Sequence, residues 1–161
     1  MGMTIAEKIL ARRGGRDVVR PGDIVTVEVD TVILFDNNFM PANWREILKV
    51  RDPGRIVVVL DHRVPAPNQM AAAAHVTARR FAEKFRIERV HDVGYDQGIS
   101  HQLVADLGYG IPGTVLVCSD SHTCSAGVFN CLALCSPSLP VTSLGDFPIA
   151  NSMKSLLASP R

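Results

Sequence analysis

The chain has 161 residues, of which 47% are apolar and 20% charged, and its formal net charge is +1. This balance suits one globular domain able to bury a core and excludes a disordered segment. The near-zero charge offers no electrostatic footing for a nucleic-acid partner, and the longest uniformly apolar run, Ile56–Leu60, is too short to cross a bilayer.

The amino-terminal stretch predicts a helix over Ile5–Arg12, ended by Gly14-Gly15. Met1–Arg20 is punctuated by Glu7, Gly14, Gly15 and Asp17 without an apolar centre, so no secretory leader is read there. Arg12, Arg13, Arg16 and Arg20 carry a trace of an organelle-transit pattern, but Thr4–Leu10 reads better as folded helix. The expected location is the cytoplasm, with the mitochondrion as the alternative.

After Pro21-Gly22, a strand is expected over Asp23–Asp30, carried by Ile24, Val25, Val27 and Val29. Val32–Phe35 is a second short apolar run, closed by turn-forming Asp36, Asn37 and Asn38. Ala42–Val50 reads as a helix with Trp44, Ile47 and Leu48 on one face. Ile56–Leu60 is a continuous, mostly β-branched run, as expected of a strand buried on both faces, and it stops at Asp61-His62. Pro65 and Pro67 open a helix through Ala71–Ala74 to Phe85. Ile87–Val93 is the next strand and Gln97–Leu107 the next helix. Thr114–Cys118 is a further buried strand, stopping at Asp120-Ser121-His122-Thr123.

Buried strands alternating with helices predict an α/β domain with a largely parallel sheet and flanking helices. Ligands in such sheets bind beyond the carboxyl ends of the strands, where two strands here end in aspartate with histidine beside it or two residues on. From Leu134 onward Pro137, Pro140, Pro148 and Pro160, with several serines, replace this rhythm. Residues 1–133 are therefore read as the α/β domain and 134–161 as a divergent tail without strand–helix continuation. Internal repeats and charge runs are absent from the sequence.

The four cysteines, Cys118, Cys124, Cys131 and Cys135, contain no Cys-x-x-Cys pair and read as reduced, buried or partly buried thiols rather than a zinc site or disulfide framework. No metal ligands are assigned. Among the histidines, His62 follows Asp61, whose carboxylate can raise its pKa and fix its tautomer for general-acid work. Taken alone, the pair reads more readily as a strand-end cap beside a surface histidine. His101 opens a predicted helix. His122 sits in Asp120-Ser121-His122-Thr123, four polar residues leaving a core strand together, which packing alone does not explain. His75 and His91 look structural. A Ser-His-Asp relay within this run is set aside, because neighbouring side chains on extended backbone face opposite ways and no Gly-x-Ser-x-Gly elbow is present. No phosphate loop is found. The residues alone specify a histidine-rich pocket and leave its chemistry open.

The motifs now in view resemble those of aconitase, homoaconitase and the isopropylmalate dehydratase large subunit. Met3–Leu10 and Pro21-Gly22-Asp23 with Val27–Asp30 are similar to the opening of the prokaryotic-type members. Asp61-His62 with Val64-Pro65, Gly98-Ile99-Ser100-His101-Gln102 and Asp120-Ser121-His122-Thr123 match three family motifs in order and spacing, with Gly127 and Phe129 fitting beyond. The resemblance covers about residues 3–133 and implies the amino-terminal αβα domain of these enzymes.

It further implies reversible dehydration of a hydroxy polycarboxylic acid, with a 4Fe–4S cluster as Lewis acid. His62, oriented by Asp61, is then the acid that protonates the departing hydroxyl. Asp120 pairs with His101, Ser121 holds a substrate carboxylate and His122 lines the pocket. Asp36 falls at a pocket aspartate that contacts substrate, although Phe35 replaces the usual His or Gln before it. Isopropylmalate, homocitrate, citrate or a specialised-metabolite analogue all fit, and the amino-terminal similarity leans toward the isopropylmalate and homoaconitate branch, hence amino-acid biosynthesis or secondary metabolism.

The family's three cluster cysteines lie well downstream, and Cys124, Cys131 and Cys135 do not occupy their positions. Its substrate-gripping arginines and base serine lie further on, partly in a swivelling domain or separate small subunit. The change of composition after Ala133 is what a frameshift, intron read-through or early splice produces. The expectation is a truncated hydro-lyase, inactive alone. The alternative is a non-catalytic fragment, or a subunit completed by a small subunit or other chain supplying the cluster ligands.

Overall fold

The computed structural model describes residues 2–94, 96–136 and 147–148. Helix α1 spans Ile5–Arg13. Its amino end is closed by a reciprocal cap: the Glu7 amide donates to the Thr4 hydroxyl, and the Glu7 carboxylate accepts from the Thr4 amide. The chain then runs extended with Val25, Val27 and Val29 buried in alternation, but only Thr26–Val27 forms a strand, β1, shorter than Asp23–Asp30. Ile24 faces outward.

Strand β2, Thr31–Phe35, is buried at every position. The helix expected over Ala42–Val50 does not form. Pro41 and its neighbours instead make turns, the Asn43 and Trp44 amides both donating to the Met40 carbonyl, followed by irregular chain. Tertiary contacts override the local periodicity here, because Trp44 stacks among Phe39 and Phe81 while Leu48 is 82% exposed.

Strand β3 covers Ile56–Val59 and helix α2 covers Gln69–Phe85. The helix starts beyond Pro65 and Pro67, where the Asn68 side chain accepts from the Ala71 amide. Strand β4, Arg89–His91, helix α3, Ser100–Asp106, and strand β5, Val115–Cys118, follow, each lying within its expected range. Strand β6, Leu132–Cys135, crosses the boundary drawn at 133/134. It pairs along β5 as far as Cys118 with Cys135, so Leu134 and Cys135 belong to the sheet rather than to a structureless tail. A two-residue strand β7, Phe147–Pro148, pairs antiparallel with β1. The rest of the expected tail lies outside the described residues.

Strands β2 to β6 form one parallel sheet in the order β4-β3-β2-β5-β6. Alternate residues feed two cores. Leu34, Val58 and Val117 meet Leu10 of α1 and Ala74, Ala78 and Phe81 of α2. Ile33, Val57 and Leu116 meet Val104 of α3 and Ala126. Helical layers on both faces explain why the strands read as unbroken apolar runs.

The strand order reverses between β2 and β5, leaving a crevice at their carboxyl ends. Leu34, 1% exposed on the central strand, tests this core. Leu34→Ala is expected to lower unfolding free energy by about 2–5 kcal/mol in urea denaturation; a loss below about 1 kcal/mol would mean that β2 is not central.

Candidate active site

Each of three core strands delivers an acidic residue to one edge of the sheet. Asp36 follows β2, Asp61 comes two residues after β3, and Asp120 two residues after β5. The fourth contributor is the first turn of α3, which brings in His101. The positions are not accidental, since the strand ends flanking the reversal are where the backbone diverges and side chains can converge.

Asp61 has two tasks. Its Oδ1 lies 2.7 Å from His62 Nδ1, and its Oδ2 accepts the Ser100 amide at 2.7 Å. The helix has no side-chain cap of its own at Ile99, so Asp61 both fixes the His62 ring and anchors the start of α3. On the other side of the ring, His62 Nε2 lies 3.3 Å from Asp120 Oδ2. Both ring nitrogens of His62 thus face carboxylate oxygens, an arrangement that favours the protonated ring, in which both nitrogens donate. Phe35 packs against it, ring centroids 4.5 Å apart.

Asp120 is the shared partner. Its Oδ1 lies 2.6 Å from His101 Nε2 and accepts the His122 amide at 2.8 Å, while Oδ2 meets His62. Burial alone raises its pKa, but the His122 amide and the two imidazoles outweigh this and hold the carboxyl below its ordinary range. For His62, burial works against the charged form, but the hydrogen bond and charge of Asp61, the charge of Asp36 and the bond to Asp120 prevail and raise the pKa.

The structure thus unites Asp61, His62, His101 and Asp120. Two other positions need correction. Asp36, expected against substrate, is fully enclosed: it accepts the Arg63 amide at 2.5 Å and lies 3.9 Å from His62 Nδ1 and 4.0 Å from His75 Nε2. It reaches the site through His62 rather than through an open face. The run Asp120–Thr123 is a turn rather than extended chain, so neighbouring side chains do meet. Ser121 Oγ lies 3.3 Å from His122 Nδ1, and Asp120 Oδ1 lies 3.4 Å from that same nitrogen. A relay needs hydroxyl and carboxylate on opposite ring nitrogens, so the exclusion stands on different grounds. Ser121 and His122 are both exposed at the rim.

Two nearby residues were passed over in the sequence. Arg63, directly after the Asp61-His62 pair, brings a cation to the edge and bonds Asn37 Oδ1 through Nε at 3.0 Å. Asn38 ties the edge of β2 to that of β5 by donating to Ser119 Oγ at 2.8 Å. His91 bonds the Tyr109 hydroxyl and the Asp96 carbonyl, as a structural histidine does.

The cysteines do not suit an iron–sulfur cluster. All four are free; Cys118 and Cys131 are buried, Cys135 half-buried and Cys124 exposed, the last differing from the expected burial. Burial pushes the Cys118 thiol up to about 11 and raises those of Cys131 and Cys135, disfavouring the thiolates a cluster requires. Cys131 also donates to the Ala126 carbonyl. Two close groups of possible metal donors occur among the described residues, His101–Asp120–His122 and Asp36–Asp61–His62, and neither includes a cysteine.

With the site in view, comparison with known proteins is informative. The family model for aconitase (aconitate hydratase) matches residues 19–136. The 3-isopropylmalate dehydratase large subunit of Mycolicibacterium smegmatis is 49% identical over 133 residues, covering 83% of this chain and 31% of the relative. That of Sulfurihydrogenibium is 41% identical over 132 residues, covering 79% and 30%. A probable 3-isopropylmalate dehydratase large subunit of Methanothermobacter thermautotrophicus is 39% identical over 137 residues, covering 83% and 32%. The chain therefore spans about a third of the length of these relatives. No helix among the described residues is long and apolar enough to cross a membrane.

The arrangement around His62 predicts its titration. Its midpoint should lie above 6.5 in the folded chain and fall in Asp61→Asn, read by imidazole NMR. The sign for stability follows: with a raised folded pKa, the contribution is complete below about pH 6.5 and is lost as pH rises through the folded midpoint. His62→Gln should therefore cost more stability at pH 6 than at pH 9. A midpoint at or below 6.5 would contradict the double carboxylate contact.

Proposed function

The chain belongs to the aconitase family, and on that footing we propose that it carries the proton-handling wall of a hydro-lyase site for a hydroxy polycarboxylic acid such as isopropylmalate or homocitrate. The observation that supports this most is the linkage of His62 and His101 through the single carboxylate of Asp120. A dehydration must break a carbon–oxygen bond, and hydroxide is a poor leaving group at neutral pH. An imidazolium beside the departing oxygen converts it to water. His62 is that acid: on transfer its proton passes to the hydroxyl, and the neutral ring stays in place through Asp61.

His101, fixed by Asp120, and exposed His122 are the pocket's other polar walls, and the Ser121 hydroxyl accounts for a carboxylate contact. Arg63 is a second candidate for that contact, since a guanidinium suits a carboxylate. Asp36 is assigned a positioning role behind His62.

The Lewis-acid cluster implied by the family resemblance is not one these cysteines fit, and no step is assigned to it here. That misfit, together with the span of about a third of the relatives' length, favours a second reading: a subunit that works with other polypeptide supplying the cluster ligands. The relatives' designation as large subunits supports a small-subunit partner.

The test is turnover in a complex that also contains the remaining two-thirds of a relative's large subunit and a small subunit. His62→Ala is expected to reduce kcat by about 10²–10⁴-fold, the usual contribution of a positioned acid, with KM for isopropylmalate changed far less. Unchanged kcat would remove His62 as the acid.

A further inference from the structure

We propose that His101, Asp120 and His122 form a binding site for a divalent transition cation of the zinc class, a property independent of the dehydratase reading. One donor atom from each residue lies within 4.8 Å of the others. The donors come from two elements, α3 and the turn after β5, so the grouping reflects tertiary structure and not sequence adjacency alone.

The distances suit coordination. With metal–nitrogen and metal–oxygen bonds of about 2.0–2.1 Å, two ligands on a tetrahedral ion stand about 3.3 Å apart. His122 Nδ1 and Asp120 Oδ1 are already 3.4 Å apart. His101 Nε2 and Asp120 Oδ1 are 2.6 Å apart, the span of a hydrogen bond, and need to separate by about 0.7 Å as an ion replaces the shared proton. The His101 and His122 rings stand nearly edge-on, centroids 6.0 Å apart, and His122 is 80% exposed, leaving a path from solvent and room for water as a fourth ligand.

Donor chemistry selects the ion. Two imidazoles and one carboxylate are a borderline set that favours zinc or nickel. Calcium and magnesium require more oxygen than one carboxylate offers. The second donor group, Asp36–Asp61–His62, lacks access from solvent: the Asp36 and Asp61 side chains are 0% and 4% exposed. An ion on the first group would occupy Asp120 Oδ1 and His101 Nε2, withdrawing both from the proposed proton network.

The full chain titrated with Zn²⁺ in a non-chelating buffer should bind one equivalent by calorimetry. In long-range imidazole ¹H–¹⁵N spectra, the His101 and His122 resonances should move together while those of buried His75 and His91 stay in place. His122→Ala, a substitution at an exposed position, should weaken binding at least tenfold, whereas Cys124→Ser should leave it unchanged. Movement of His122 without His101 would reveal an adventitious surface histidine only and overturn the site. Loss of binding in Cys124→Ser with retention in His122→Ala would overturn it too, by placing the ion on the thiol.

Discussion

A carboxylate largely withdrawn from water at the end of a core strand needs partners, and the rest of the site is arranged around how Asp120 finds them. One oxygen takes His101 and the amide of His122, and the other takes His62. These contacts draw together the edge of β3, the first turn of α3 and the turn after β5, three elements distant in sequence. Without that carboxylate, His62 would keep Asp61 but lose its second acceptor, and His101 would have no partner across the crevice among the contacts described.

The sheet makes this geometry available. Its strand order reverses between β2 and β5, so the chain leaves those strands in opposite directions and opens a gap at their carboxyl ends. Asp36, Asp61 and Asp120 are all delivered there, giving three acidic groups close together. The three carboxyl groups are accommodated because His62 stands among them, the Arg63 and Ser100 amides donate to individual oxygens, and both faces of the sheet are firmly packed against helices. The arrangement favours the protonated form of His62.

Much of this was legible in the sequence, and for identifiable reasons. Ile56–Leu60 and Thr114–Cys118 are unbroken apolar runs because both sheet faces are covered, and the sudden polarity at Asp61-His62 and Asp120–Thr123 marked where the strands meet the crevice. The pairing of Asp120 with His101 came only with the family resemblance, since nothing local links residues 19 apart. The misread positions were those decided by tertiary contact. Trp44 gave a helical pattern but is held by Phe39 and Phe81, and Leu134 looked like the start of a tail yet completes an edge strand. Asp36 could be recognised as a site residue, but its complete enclosure depends on Arg63 and the two histidines around it, which sequence spacing does not reveal.

Within the aconitase family, the chain gathers His62 and His101 around the carboxylate of Asp120 at the edge of a five-stranded parallel sheet, while Cys118 and Cys131 lie buried in the core rather than presented to that edge. That division makes Asp120 the point on which the account stands. The direct measurement is the low-field imidazole N–H proton spectrum of the chain and its Asp120→Asn variant. Hydrogen-bonded ring protons assigned to His62 Nε2 and His101 Nε2 should both be present in the unsubstituted chain and both lose their low-field position in the variant, with the His62 Nδ1 proton on Asp61 retained. If the His62 Nε2 signal is unaffected by the substitution, Asp120 does not join the two histidines, and the shared-carboxylate account fails.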